Sequence, residues 1–79
     1  MKRGILVLSA NELIELTRHI DLEKFNLAAR DLKEENRILV NDEELDSILD
    51  RIGKPENNPM LESAVSKISE LLLSFRDNK

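Results

Sequence analysis

The fold is decided by Ile5-Leu6-Val7-Leu8-Ser9-Ala10-Asn11-Glu12-Leu13, because this pattern returns 32 positions later as Arg37-Ile38-Leu39-Val40-Asn41-Asp42-Glu43-Glu44-Leu45. Each copy is a short apolar run, then a residue that can cap a helix, then Glu-Leu. A capping residue followed by glutamate at the third helical position is a capping box, in which each side chain bonds the other residue's backbone N–H. Both segments therefore predict a short strand that leads into a helix.

Four helices are predicted from apolar residues at helical spacing. Asp21 is a candidate cap for the second helix, and Asn58 for the fourth. Gly53 follows the third helix where a left-handed C-terminal cap is usual, and a loop follows it. The predicted helices cover about residues 10–20, 22–35, 42–52 and 59–76.

The fold class expected is mainly α with a small β component (α+β), in one small domain. Its two β-α-α units cover residues 5–36 and 37–76, with a loop at 53–58. A pseudo-twofold packing of the units predicts an antiparallel two-stranded ribbon, and a parallel pairing stays open because the helices between the strands are long enough for a crossover. Three alternatives stay open. The chain could form an all-α four-helix domain, the strands could pair between subunits rather than within one, and the repeat need not be a true duplication.

Composition restricts the chemistry. The 79-residue chain has no cysteine and a single histidine, so it holds no disulfide framework, thiolate metal site or histidine cluster. The glycines are isolated and belong to no phosphate-binding loop, and no nucleophile stands at a motif spacing from His19. We therefore expect no enzyme activity, cofactor, metal or small-molecule substrate.

Charge and hydropathy restrict the partners. The net charge of −4 disfavours nucleic acid, because neutralising phosphates supplies most non-specific affinity. The apolar run at residues 4–8 is too short for a signal peptide, and no segment is long and apolar enough for a membrane helix. The compartment expected is the cytoplasm.

The C-terminal helix is the strongest candidate for an interaction surface. Its apolar residues follow a heptad-like spacing, and further apolar side chains lie beside this stripe. A small domain has a limited core, so we expect a second copy or another protein to cover part of the helix, although the stripe packing on the domain's own core is an equally weighted alternative. The predicted protein-interaction residues are Leu61, Val65, Ile68, Leu71, Leu72, Leu73 and Phe75.

Two further features of the sequence have a plainer interpretation beside the functional one. The acidic segment 42–50 favours a solvated face at the positive end of a helix dipole over a divalent-cation site or an acidic contact surface for a basic partner. The helices at 10–20 and 22–35 suggest a helix-turn-helix, with would-be DNA contacts at Lys24, Asn26, Arg30 and Lys33, but the segment is electrically balanced and its turn is short.

The function expected from the sequence is a small non-enzymatic protein-interaction or regulatory module. It would act as a homodimer, or dock on a protein partner through the C-terminal helix. The alternative is a nucleic-acid-binding regulator of the helix-turn-helix type.

Overall fold

The fold consists of two strand-helix-helix units, as the repeated pattern predicts. The structure is a computed structural model that describes residues 2–77, with the side chains of 2–76. Within these residues four helices accompany a two-stranded sheet, so the α+β expectation is confirmed. The elements are β1 (Arg3–Leu8), α1 (Ala10–Thr17), α2 (Glu23–Arg30), β2 (Asn36–Asn41), α3 (Asp42–Ile52) and α4 (Pro59–Asp77).

The two strands pair antiparallel within one chain, which decides between the two pairings left open. Ile5 lies opposite Leu39, and Leu6 opposite Ile38. Side chains alternate between a buried and a more exposed face along both strands, as the two-residue period of a strand requires. The helices therefore cover one face of the sheet only.

The core lies between the buried sheet face and the helices. Phe25 is the largest fully buried side chain, and aliphatic residues fill most of the remaining space. α4 packs against α1, α3 and β1, whereas α2 packs against α1 and β2. The buried apolar residues are Leu6, Leu8, Leu13, Leu16, Ile20, Phe25, Ile38, Val40, Leu45, Ile48, Leu61, Ala64, Ile68, Leu72 and Phe75.

Both predicted capping boxes are formed. The Ser9 hydroxyl accepts from the Glu12 backbone N–H, and the Glu12 carboxylate accepts from the Ser9 N–H at 2.8 Å. Asn41 and Glu44 make the same reciprocal pair at the start of α3. Asn58 caps α4 by accepting from the N–H of Leu61, as predicted. These local bonds explain why α1, α3 and α4 begin where they do.

α1 and α2 are shorter than predicted. α1 ends at Thr17, and α2 runs from Glu23 to Arg30, whereas the apolar spacing predicted helices to about 20 and 35. The expected cap of α2 by Asp21 is wrong: Leu22 stands at the cap without a side-chain bond, while Asp21 accepts from the Asn26 side-chain amide.

A buried asparagine explains where α2 stops. Asn36 is only 4% exposed, and its side-chain amide bonds both the N–H and the C=O of Lys33. The same amide also donates to the Leu8 carbonyl on β1. Because Asn36 holds the connection in a turn, the chain leaves the helix before it reaches β2.

Two contacts fix the end of α4 against the start of β1. A Cβ built on Gly4 would lie 2.8 Å from two ring carbons of Phe75, so only glycine permits this approach. The Lys2 ammonium also donates to the Phe75 carbonyl. The first strand and the last helix are therefore tied together, although they are far apart in sequence.

Candidate protein-interaction surface

The face of the sheet that points away from the helices carries exposed apolar side chains. Ile5 is 49% exposed and Leu39 is 54% exposed, and they lie directly opposite each other. Val7 is half-buried one step along the same face. We call this surface the outer sheet face, formed by Arg3, Ile5, Val7, Arg37, Leu39 and Asn41.

Arginines stand at opposite ends of the outer sheet face. Arg3 lies across from Asn41, and Arg37 lies across from Val7, so the two cations flank the apolar centre diagonally. Arg37 is 3.4 Å from the Glu35 carboxylate, but both side chains are more than half exposed. Such surface pairs contribute little, because water and ions screen them. The face is therefore apolar in the middle and basic at its ends.

A lysine closes the outer edge of β2. The Lys24 ammonium donates to the Leu39 carbonyl at 2.9 Å and lies 2.6 Å from a carboxylate oxygen of Glu44. Glu44 also accepts from the Asn41 N–H, so one carboxylate serves both the helix cap and the ion pair. This network joins α2 to the start of α3 and occupies a carbonyl of the strand edge.

Glu12 is a buried carboxylate whose environment strongly changes its proton affinity. Its side chain is 4% exposed and accepts from Ser9, from the Ser63 hydroxyl and from the Lys67 ammonium at 2.6 Å. Burial alone raises the pKa of Glu12, but the three hydrogen bonds and the Lys67 charge outweigh it and lower the pKa to about 2. Glu12 therefore acts as a charged link between α1 and α4.

The predicted interaction residues of α4 lie in three environments. Leu61, Ile68 and Leu72 are buried, as is Phe75, so most of the heptad-like stripe packs on the domain's own core. Val65 and Leu71 are partly buried beside that core, and Leu73 is 54% exposed. Of the predicted residues, Leu73 and the uncovered part of Leu71 are therefore those that α4 offers to a partner.

The acidic segment and the single histidine remain at the surface. Asp42, Glu43 and Glu44 occupy the first turn of α3, where they favour the helix dipole, and Asp46 lies 3.5 Å from Arg76. Within residues 2–77 no group of three acidic or histidine side chains converges on a common metal position. The side chain of His19 is 42% exposed and lies 3.8 Å from Glu15.

Two of the would-be DNA contacts are occupied within the protein. Lys24 bonds Glu44 and Leu39, and the Asn26 amide donates to Asp21. Arg30 and Lys33 are exposed, and Lys33 lies 3.8 Å from Asp31. No contact of the described residues favours the helix-turn-helix alternative, which stays a prediction.

Comparisons with known proteins add no relative. No protein-family model matches the chain, and neither the curated proteins nor the solved structures gave a significant match. Among the described residues, none of the helices has the length and apolar character needed to cross a bilayer.

Sequence reasoning identified the strands but missed the outer sheet face. The signal was available, because Ile5 and Leu39 stand out of phase with Leu6, Leu8, Ile38 and Val40. Two strands covered by helices on one side must leave alternate residues uncovered. The fully apolar runs favoured buried strands instead, so the exposed apolar positions were not singled out.

Proposed function

We propose that the protein is a small non-enzymatic interaction or regulatory module, acting as a homodimer or docking on a protein partner. The observation that carries this proposal is the set of large apolar side chains that are about half exposed on this small domain. Leu73 represents the C-terminal helix in this set, and Ile5 and Leu39 represent the outer sheet face. Contiguous exposed apolar patches mark interaction sites more often than scattered single residues do.

Within the C-terminal helix, the buried and the exposed apolar residues have different roles. Substituting Leu72 or Phe75 by polar residues would disturb the core, because both side chains are buried against it. Leu73 is the informative position, since its side chain is exposed and its loss should leave the fold intact. The cytoplasm, expected from the sequence, is the compartment that belongs to this proposal, and fractionation of the native host tests it.

The test compares two exposed leucines on different surfaces. Leu73→Glu and Leu39→Glu should reduce the molar mass measured by light scattering, if the partner is a second copy, or remove a captured host protein. Leu27→Glu is the matched control, because Leu27 is 52% exposed and lies on α2, which forms part of neither surface. Leu27 borders Arg37 but lies outside the apolar centre of the outer sheet face. The proposal would be contradicted if the wild-type protein is monomeric and captures no host protein that the Leu39→Glu/Leu73→Glu variant fails to capture.

A further inference from the structure

We propose that the outer sheet face is a docking site for an acidic amphipathic helix, in which leucine-like anchors lie between two carboxylates. This inference rests on the proposed interaction function and specifies its site and the chemistry of its partner. The apolar centre at Ile5 and Leu39 supplies the area to be covered, and Arg3 and Arg37 supply the charges to be matched.

The apolar centre has the dimensions of a helix stripe. Ile5 and Leu39 form a cross-strand pair, and Val7 lies two residues further along β1. Two residues of a strand span about 7 Å, and two positions four apart on a helix span about 6 Å. Two apolar residues at that helical spacing can therefore cover both sites at once, one on the Ile5–Leu39 pair and the other on Val7.

The charges define what should flank those anchors. Arg37 lies opposite Val7, which is four residues along the strand from Arg3. The two arginines are therefore about 13 Å apart along the strand direction. Carboxylates one turn before and one turn after the two anchors lie about 16 Å apart on a helix, within reach of two flexible arginine side chains. An arginine can bind a carboxylate through two parallel hydrogen bonds, which favours an acidic partner over a neutral one.

Charge argues against a second copy as the occupant. The exposed charged side chains of the outer sheet face are both arginines, so stacking two such faces brings like charges together as water is removed. A partner with acidic flanks makes the same apolar contact and gains attraction instead. The face thus selects for a different chain.

Neighbouring acids argue against an anionic membrane or nucleic acid. Glu35 and Asp42 immediately adjoin the ends of β2, and the whole chain carries a net charge of −4. A broad anionic surface would meet these acids, whereas recognition of anionic lipid commonly uses clusters of four to eight basic residues. A narrow helix avoids Asp42, and its carboxylate at Arg37 replaces Glu35, whose exposed pair with that arginine contributes little.

The test uses a defined probe on the full chain. The probe is a helical peptide with two leucines four residues apart and a glutamate one turn beyond each; its control has lysines in place of both glutamates. Amide shifts followed by NMR during titration should be largest at residues 3–7 and 37–41. The glutamate peptide should bind about tenfold or more tightly than the lysine peptide, a difference that two ion pairs can supply.

Variants then assign the site. Leu39→Ser should weaken binding about tenfold. Leu27→Ser removes a similarly exposed side chain that lies beside Arg37 rather than in the apolar centre, so it should change binding by less than about twofold. Joint Arg3→Glu and Arg37→Glu substitution should reverse the preference toward the lysine peptide. Equal binding of both peptides, or an unaffected Leu39→Ser variant, would overturn the inference. So would preferential binding to phosphatidylserine vesicles or duplex DNA.

The outcomes also separate this inference from the proposed function. Peptide shifts centred on Leu73 would overturn the sheet-face site while leaving an interaction module in place. Absence of binding by the glutamate peptide, together with a Leu73-dependent dimer by light scattering, would do the same. Absence of peptide binding, self-association and host capture together would reject both proposals.

Discussion

Replacing Glu12 by glutamine should lower the free energy of unfolding near neutral pH. In acid the loss should be much smaller. The carboxylate is buried and accepts bonds from Ser9, Ser63 and Lys67, and its pKa falls from 4.5 to about 2 in the folded protein. A group whose folded pKa is lowered stabilises the fold fully above its unfolded pKa, and the contribution is lost as pH falls through the folded value. The window is therefore between about pH 5 and pH 2.

The magnitude follows from the shift. A change from 4.5 to about 2 corresponds to about 3 kcal/mol at pH 7, at 1.36 kcal/mol per pKa unit. At pH 3 the same linkage leaves about 1 kcal/mol, because most unfolded chains are protonated there while the folded carboxylate is largely charged. The difference between wild type and Glu12→Gln should thus shrink by about 2 kcal/mol from pH 7 to pH 3.

Urea denaturation at pH 7, 5, 4 and 3 measures this difference directly. With a slope of about 1 kcal/mol per molar urea, the midpoints should differ by about 3 M at pH 7. Glu44→Gln is the matched control, since Glu44 has the same place in its capping box but its side chain is 24% exposed. A Glu12→Gln effect that is independent of pH, or no larger than that of Glu44→Gln, would refute the reasoning.

Three other substitutions test the contacts that hold the elements together. Gly4→Ala should lower stability by about 1–3 kcal/mol in thermal unfolding, because the added Cβ would meet the Phe75 ring. Combining it with Phe75→Leu should recover part of the loss, and additive losses in the double variant would contradict the contact. Asn36→Ala should cost about 1–3 kcal/mol of stability and speed amide exchange at Lys33, since it leaves buried backbone groups unpaired. Unchanged exchange at Lys33 would count against the hydrogen bonds of Asn36 as the cause of the turn. Asn41→Ala should cost about 1 kcal/mol in urea through loss of the α3 cap, whereas Asn41→Ser should cost less, and equal losses would argue against capping.

The predictable parts of the fold are those fixed by bonds between residues close in sequence. The capping boxes at Ser9 and Asn41 place the starts of α1 and α3, and they require only the residue itself and the third helical position. The strands were located because apolar runs precede those caps. Their antiparallel pairing followed from the expected packing of two similar units, although a parallel pairing could not be dismissed on local grounds.

The parts that were missed depend on contacts distant in sequence. α2 keeps an apolar spacing past Arg30, but Asn36 bonds both Lys33 and the Leu8 carbonyl, and this favours a turn over more helix. The role of Glu12 beyond its capping box comes from Lys67, which lies 55 residues away. No local pattern distinguishes this glutamate from Glu44.

The same distinction applies to the candidate site. A heptad-like stripe on α4 looks alike in sequence whether it contacts its own domain or a partner. The structure buries Ile68 and Leu72 because α4 crosses α1, α3 and β1 along its length. Leu39, by contrast, belongs to a uniformly apolar run, and its exposure follows only once the helices are known to cover one face of the sheet.

The two units are joined reciprocally, which bears on where a partner can bind. Lys67 of the second unit bonds Glu12 of the first, and Lys24 of the first bonds Glu44 of the second. Likewise α4 packs against β1 and α2 against β2, so each strand contacts the second helix of the other unit. These crossed contacts commit the buried sheet face and both capping glutamates to holding the units together. The side chains of Ile5 and Leu39 take no part in these bonds, so a partner can cover the apolar centre of the outer sheet face without breaking them.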